Sequence, residues 1–108
     1  MAKILKILKD GTTNLTTFKT TDELYKICGF RKIENFHLLK THKKGESTFE
    51  IWGRITGKDD TKNKYFLFEN EEIDIFGNCV VLQKVGNSYV DFNTQQWESR
   101  NKIEEVKE

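Results

Sequence analysis

Residues 79–92, CVVLQKVGNSYVDF, decide the fold. The stretch 79–85 is almost continuously apolar, which predicts a strand buried on both faces in the middle of a sheet. Gly86 and Asn87 then predict a two-residue turn of type II′, and residues 88–92 return as the next strand. We therefore expect a sheet of antiparallel neighbours arranged around residues 79–85.

The strands that precede this hairpin follow a different pattern. Residues 49–56, FEIWGRIT, alternate, so Trp52 and Arg54 are expected on the face opposite Phe49. A strand over 36–42 should pair with it through a turn at 43–46. Residues 65–68 are predicted to form a further short strand.

The N-terminal region predicts a hairpin followed by a helix. Strands at 3–9 and 12–19 flank Asp10-Gly11, a dipeptide typical of type I′ turns, in which both central residues have positive φ. Thr20 and Glu23 have the spacing of a capping box, which starts a helix over 21–28.

A second helix is predicted after an N-cap at Asn93 or Thr94, with Trp97 anchoring it and residues 101–108 fraying. The chain therefore predicts a single α+β domain over residues 1–108. Its sheet should be twisted and mostly antiparallel, with six to seven strands and two short helices.

Composition narrows the class of protein. Of the 108 residues, 36% are hydrophobic and 32% are charged, so no run approaches the ~20 apolar residues of a membrane-spanning helix. Aromatic residues make up 12%, too many for a disordered chain. Lys6 and Lys9 interrupt the apolar residues near the N-terminus, so we expect no secretory signal there and a reducing, intracellular compartment.

The net charge of +1 conceals an asymmetry between the two halves of the chain. Residues 1–54 hold eleven Lys and Arg against six Asp and Glu, whereas residues 55–108 hold seven against eleven. One pole of such a molecule would suit nucleic acid or another acidic partner, although a mixed solvated surface gives the same count.

The cysteines and histidines are the first candidates for a catalytic or metal-binding site, but their spacing does not fit one. Cys28 and Cys79 lie in apolar stretches and are expected to be buried. His37 and His42, five residues apart on one strand, are expected on opposite faces. We therefore expect a non-enzymatic protein with no cofactor and no metal. Loss of an activity on replacing either histidine would reverse that expectation.

Basic residues interleaved with aromatic ones form the best candidate for a binding surface. Cations position a phosphate backbone, and an exposed aromatic ring or guanidinium plane stacks on a base. If the surface docks protein instead, Trp52 would be an interface anchor. The candidate nucleic-acid-binding residues are Lys40, Lys43, Lys44, Trp52, Arg54, Lys58, Lys62 and Lys64.

Four segments carry a resemblance to a known group. They are DELYKICGFRKIENF (22–36), IWGRITGKDDTKNKYFLF (51–68), IFGNCVVLQK (75–84) and VDFNTQQWES (90–99). In this order they resemble small, poorly characterised proteins of large nucleocytoplasmic DNA viruses, African swine fever virus among them. The chain departs from that group where FLFENEEIDI (66–75) contains no proline, and its last helix is more polar.

The resemblance implies a viral protein acting in the host cytoplasm, where such viruses replicate and transcribe, or carried in the virion. It brings no catalytic residues. The expected function is that of an accessory module of viral transcription or genome handling, which docks on a viral protein complex and touches nucleic acid. The alternative is a virion structural or host-factor-binding protein acting through an exposed strand edge.

Overall fold

The computed structural model describes residues 2–55, 61–68 and 75–99. It confirms an α+β domain with an antiparallel sheet. The strands are β1 (Ala2–Ile7), β2 (Thr13–Phe18), β3 (Phe36–Lys44), β4 (Ser47–Arg54), β5 (Phe76–Val85) and β6 (Ser88–Val90). The α-helices are α1 (Leu24–Ile27), α2 (Lys64–Phe68) and α3 (Thr94–Glu98), and a 3₁₀ turn (Thr21–Glu23) precedes α1. No helix within these ranges is long and apolar enough to cross a membrane.

Strand β5 lies at the centre of the sheet, as its apolar sequence predicts. The order across the sheet is β2-β1-β5-β4-β3, and β6 pairs with the second half of β5 beside β1. All of these pairings are antiparallel. Strands β2 and β3 are therefore the two outermost strands of this order.

Each face of the sheet carries its own core, and we name the faces after the helix that covers them. Adjacent residues on β5 point to opposite faces, so both cores share the same strand. The α3-face core consists of Leu5, Ile7, Phe49, Ile51, Phe66, Ile75, Cys79, Val81, Phe92 and Trp97. The α1-face core consists of Ala2, Ile4, Phe18, Leu24, Cys28, Phe36, Val80 and Leu82.

A buried glutamine fixes α3 against the sheet. The Gln83 amide nitrogen donates to Ser47 Oγ (2.9 Å) and to Gln96 Oε1 (2.8 Å). Gln83 Oε1 accepts from the backbone N–H of Asn93 (2.7 Å). Asn93 Oδ1 in turn accepts from the Gln96 N–H (3.0 Å), which confirms Asn93 as the N-cap of α3.

The predicted helix over 21–28 is confirmed as a 3₁₀ turn that runs into α1. Glu23 Oε1 accepts from the backbone N–H of Thr20 (3.3 Å), as a capping box requires. Gly29 follows the helix with a φ of +89°, a conformation that glycine adopts without a steric penalty.

The predicted strand at 65–68 is wrong, because these residues form α2. Asn63 is buried, and its Oδ1 accepts from the backbone N–H of Tyr65 (2.9 Å). Its amide nitrogen donates to the carbonyls of Gly77 (2.9 Å) and Leu8 (3.3 Å). An asparagine that accepts from the first turn favours a helix over an extended chain.

The predicted type I′ turn between β1 and β2 is also wrong. Gly11 has a φ of +99°, but Asp10 does not have a positive φ. The Leu8 N–H donates to the Thr12 carbonyl (2.8 Å), and Asp10 Oδ1 accepts from the Thr12 N–H (2.9 Å). An aspartate that bonds the backbone two residues ahead stabilises this longer loop.

A β-bulge changes which residues of β3 share a face. The register shifts between Leu38 and Lys40, so His37 pairs with Gly53 and His42 pairs with Phe49. Those two positions lie on the same face of β4. The prediction that the two histidines face opposite sides is therefore wrong, since the extra residue reverses the alternation.

Candidate nucleic-acid interface

The structure divides the candidate residues on β3 and β4 between the two faces of the sheet. Lys40 pairs with Ile51 and Lys44 with Ser47, which places both lysines on the α3 face. Lys43, Trp52 and Arg54 lie on the α1 face. These five residues therefore do not form one continuous surface.

Position along the strands separates them further. Arg54 pairs with Phe36 at one end of β3, whereas Lys43 lies seven residues away near the opposite end. At the rise of an extended strand that distance is roughly 23 Å. On an extended single-stranded nucleic acid, Lys43 and Arg54 would therefore contact phosphates several nucleotides apart.

Trp52 is half-buried and its indole is already engaged. The indole N–H donates to Glu50 Oε1 (3.1 Å), and the ring stacks on Phe36 with 6.5 Å between centroids. Glu50, two residues before Trp52 on the same face of β4, is only 7% exposed. Trp52 is consequently held in the α1-face core rather than presented as an open platform.

Glu50 is the centre of a polar cluster that the sequence did not reveal. It accepts from the Tyr89 hydroxyl (2.8 Å), and Lys84 Nζ lies 3.9 Å from its other oxygen. Burial, and then the hydrogen bond to Glu50, raises the pKa of Tyr89 to about 12. Three elements, β4, β5 and β6, contribute to the cluster, so its function is to hold the sheet together.

Arg54 lies over an aromatic ring and beside a groove. Its guanidinium carbon is 4.6 Å from the centre of the Phe30 ring, a cation–π geometry that fixes the plane of the guanidinium. Its Nε is buried and has no hydrogen-bond partner within the described chain. A groove of about 240 Å³ is lined by Phe30, Arg31, Lys32, Glu34, Asn35 and Arg54.

The groove combines three cations with one carboxylate. Arg31 and Lys32 are exposed, and the described residues form no ion pair with either. They follow α1 in a segment whose turn is completed by Asn35, which has a φ of +64°. Sequence reasoning identified Arg54 but missed its neighbours, because tertiary contacts alone bring residues 30–35 beside the end of β4.

The remaining lysines occupy other sites. Lys44 Nζ donates to the Ser99 carbonyl (3.3 Å) at the end of α3. Lys62 is exposed and its backbone forms an isolated antiparallel β-bridge with Phe76. Lys64 is the first residue of α2. Lys58 and residues 101–108 lie outside the described residues. Arg54 lines the groove described above.

Neither cysteine is placed to react. Cys28 belongs to the α1-face core and Cys79 to the α3-face core. Burial raises the pKa of the Cys28 thiol to about 12 and that of the Cys79 thiol well above its usual range. Within residues 2–55, 61–68 and 75–99, no group of three His, Cys, Asp or Glu side chains is placed to hold a metal ion.

We compared the chain with known protein families, curated proteins and solved structures. No protein-family model, curated protein or solved structure matches the chain.

Proposed function

We propose that this protein is a non-enzymatic accessory module of a large DNA virus, which contacts nucleic-acid phosphates in transcription or genome handling. The observation that carries the proposal is the groove beside Arg54, in which three cations and one aromatic ring converge. Its cations come from two of the segments that resemble the viral group, 22–36 and 51–68.

The chemistry of the groove fits a phosphodiester better than a neutral ligand. An arginine whose plane is fixed offers paired N–H donors to phosphate oxygens, and Arg31 and Lys32 add charge at the rim. Lys43 extends the basic character along the α1 face. Lys40, Lys44, Lys62 and Lys64 lie elsewhere, so we leave them and Trp52 out of the proposed contact.

Salt dependence tests the contact directly. Three neutralised phosphates on a single strand predict a roughly 20-fold loss of affinity between ~50 and ~200 mM salt. Fluorescence anisotropy with the full chain would measure it, using labelled single-stranded and duplex oligonucleotides. A protein that binds neither, or whose binding ignores salt, would overturn the proposal.

Paired charge variants locate the contact. Arg31→Gln with Lys32→Gln removes two groove cations and should lower the salt slope by about 1.4. The matched control, Lys3→Gln with Lys26→Gln, makes the same charge change outside the groove. Equal losses in both variants would show that net charge, and not the groove, drives binding.

Docking on a viral complex has a separate test. The tagged protein would be recovered from infected cells with and without nuclease, and its partners identified by mass spectrometry. Polymerase subunits retained after nuclease support docking by protein contacts. Recovery of capsid, membrane or host proteins alone would contradict a role in transcription and favour the virion or host-factor alternative.

That alternative is favoured by one observation, the open edge of β2. Its side chains carry no charge, and Leu15 is 49% exposed. A partner strand could pair there through backbone hydrogen bonds.

A further inference from the structure

Strand β2 is an unprotected sheet edge. Its sequence, TNLTTF, contains no charged residue, no proline and no bulge, which are the features that usually block edge pairing. Thr13, Asn14, Leu15 and Thr17 are exposed. Across the described chain, β2 pairs with β1 alone.

The hairpin determines which backbone groups face outward. The Leu8 N–H donates to the Thr12 carbonyl, and residue pairs in an antiparallel ladder alternate between bonded and unbonded. Ile4 with Thr16 is therefore a bonded pair, whereas Leu5 with Leu15 is unbonded. The N–H and C=O groups of Thr13, Leu15 and Thr17 point away from β1.

We propose that this edge pairs antiparallel with β2 of a second copy of the chain, with the two-fold axis passing through Leu15. Outward-facing residues must oppose each other, so Leu15 faces Leu15 of the second copy and Thr13 faces Thr17. The two half-exposed leucines cover each other at the centre.

Charge complementarity supports a second copy as the occupant. Strand β2 ends at Phe18, and just beyond it Lys19 of one copy would lie near the Asp10-Gly11 loop of the other. Hydrogen bonds from Thr12 lower the pKa of Asp10, so the carboxylate is charged at neutral pH. The two-fold axis places opposite charges near each other at both ends of the interface.

The opposite edge of the sheet, β3, explains why we expect a dimer and no larger assembly. Strand β3 has a bulge and carries Lys40 and Lys43, which disfavour pairing with another chain. A closed dimer therefore forms instead of a filament, and two six-stranded sheets join into one. This inference is independent of nucleic-acid contact, because the Arg54 groove lies beside β4, three strands away from the β2 edge.

Sedimentation equilibrium of the full chain between about 1 and 500 µM tests the dimer. Leu15→Lys should weaken it by about tenfold or more, since two cations would meet at the axis. Leu38→Lys, at a leucine on β3 that is 41% exposed, should leave it unchanged. A chain that is monomeric throughout, or a dimer that Leu15→Lys does not weaken, would overturn the proposal.

Cysteine cross-linking tests the register. With Leu15→Cys, mild oxidation should give a covalent dimer, because the two sulfurs meet at the axis. With Thr13→Cys it should not, because the two copies of position 13 are four residues out of register. The native cysteines are buried and do not compete. The reverse outcome, or no cross-link from either variant, would rule out the axis at Leu15.

Discussion

The two edges of the sheet are built in opposite ways. Strand β3 is basic and interrupted by a bulge. Helix α3 contacts it on the α3 face, where the His42 ring lies 6.0 Å from the ring of Trp97. Strand β2 is uncharged and regular, and its last residue, Phe18, packs with Leu24 and Cys28 in the α1-face core. A single sheet can thus carry one edge that resists pairing and one that permits it.

The largest expected effect comes from removing the support of β3. Trp97 is 1% exposed, packs on Phe49 with 5.3 Å between centroids, and donates its indole N–H to Tyr65 (2.7 Å). Trp97→Ala should lower the free energy of unfolding by about 3–5 kcal/mol. Urea denaturation would measure this loss.

The matched change at the other edge is Leu15→Ala. Because Leu15 is half exposed, its loss should cost less than about 1 kcal/mol of unfolding free energy in the monomer. Similar costs at both positions would contradict the view that the buried Trp97 contributes more to stability than the exposed Leu15 on the β2 edge.

An intermediate effect is expected at Glu50, which lies opposite Thr41 of β3. Glu50→Ala leaves the Tyr89 hydroxyl and the Trp52 indole N–H without their acceptor. The free energy of unfolding should fall by about 1–3 kcal/mol. Denaturation of Glu50→Ala and Glu50→Gln side by side would separate loss of the acceptor from loss of charge.

The same residue controls a titration. The raised pKa of Tyr89 stabilises the fold below the usual tyrosine pKa, and that contribution is lost as pH rises towards about 12. Glu50→Gln should lower the pKa of Tyr89, which tyrosinate absorbance measures, with Tyr89→Phe identifying the signal. An unchanged titration would show that burial alone sets this pKa.

The smallest effect on stability is expected at Lys43, which is exposed on β3. Lys43→Thr should change the free energy of unfolding by less than about 0.5 kcal/mol. In a Leu15→Lys background it should nevertheless increase self-association, because β3 loses one of its protecting charges. Sedimentation that shows no increase would assign the protection of β3 to its bulge.

Sequence alone predicted the elements whose signals are local. The apolar run of β5 and the Asn93 cap depend on neighbouring residues, and both are confirmed. Helix α2 was missed because KYFLF is too short to distinguish a helix from a strand, and the deciding hydrogen bond comes from Asn63. The bulge in β3 was missed because no glycine or proline marks it.

The candidate site could be predicted only in part, for a related reason. Arg54 belongs to an alternating strand, so its face was evident from the sequence. Its partners Phe30, Arg31 and Lys32 lie more than twenty residues earlier, and only the folded chain brings them to the same groove. Lys44 was predicted as a ligand-binding residue, yet its Nζ contacts the end of α3.

The buried amide of Asn63 has a consequence for how the molecule opens. It joins the end of β1, the start of β5 and the first turn of α2 through hydrogen bonds to Leu8, Gly77 and Tyr65. None of these segments can detach from the fold without breaking its hydrogen bond to Asn63. Their backbone amides should therefore exchange with solvent deuterium together, as one cooperative unit, while the β2 edge exchanges on its own at a faster rate.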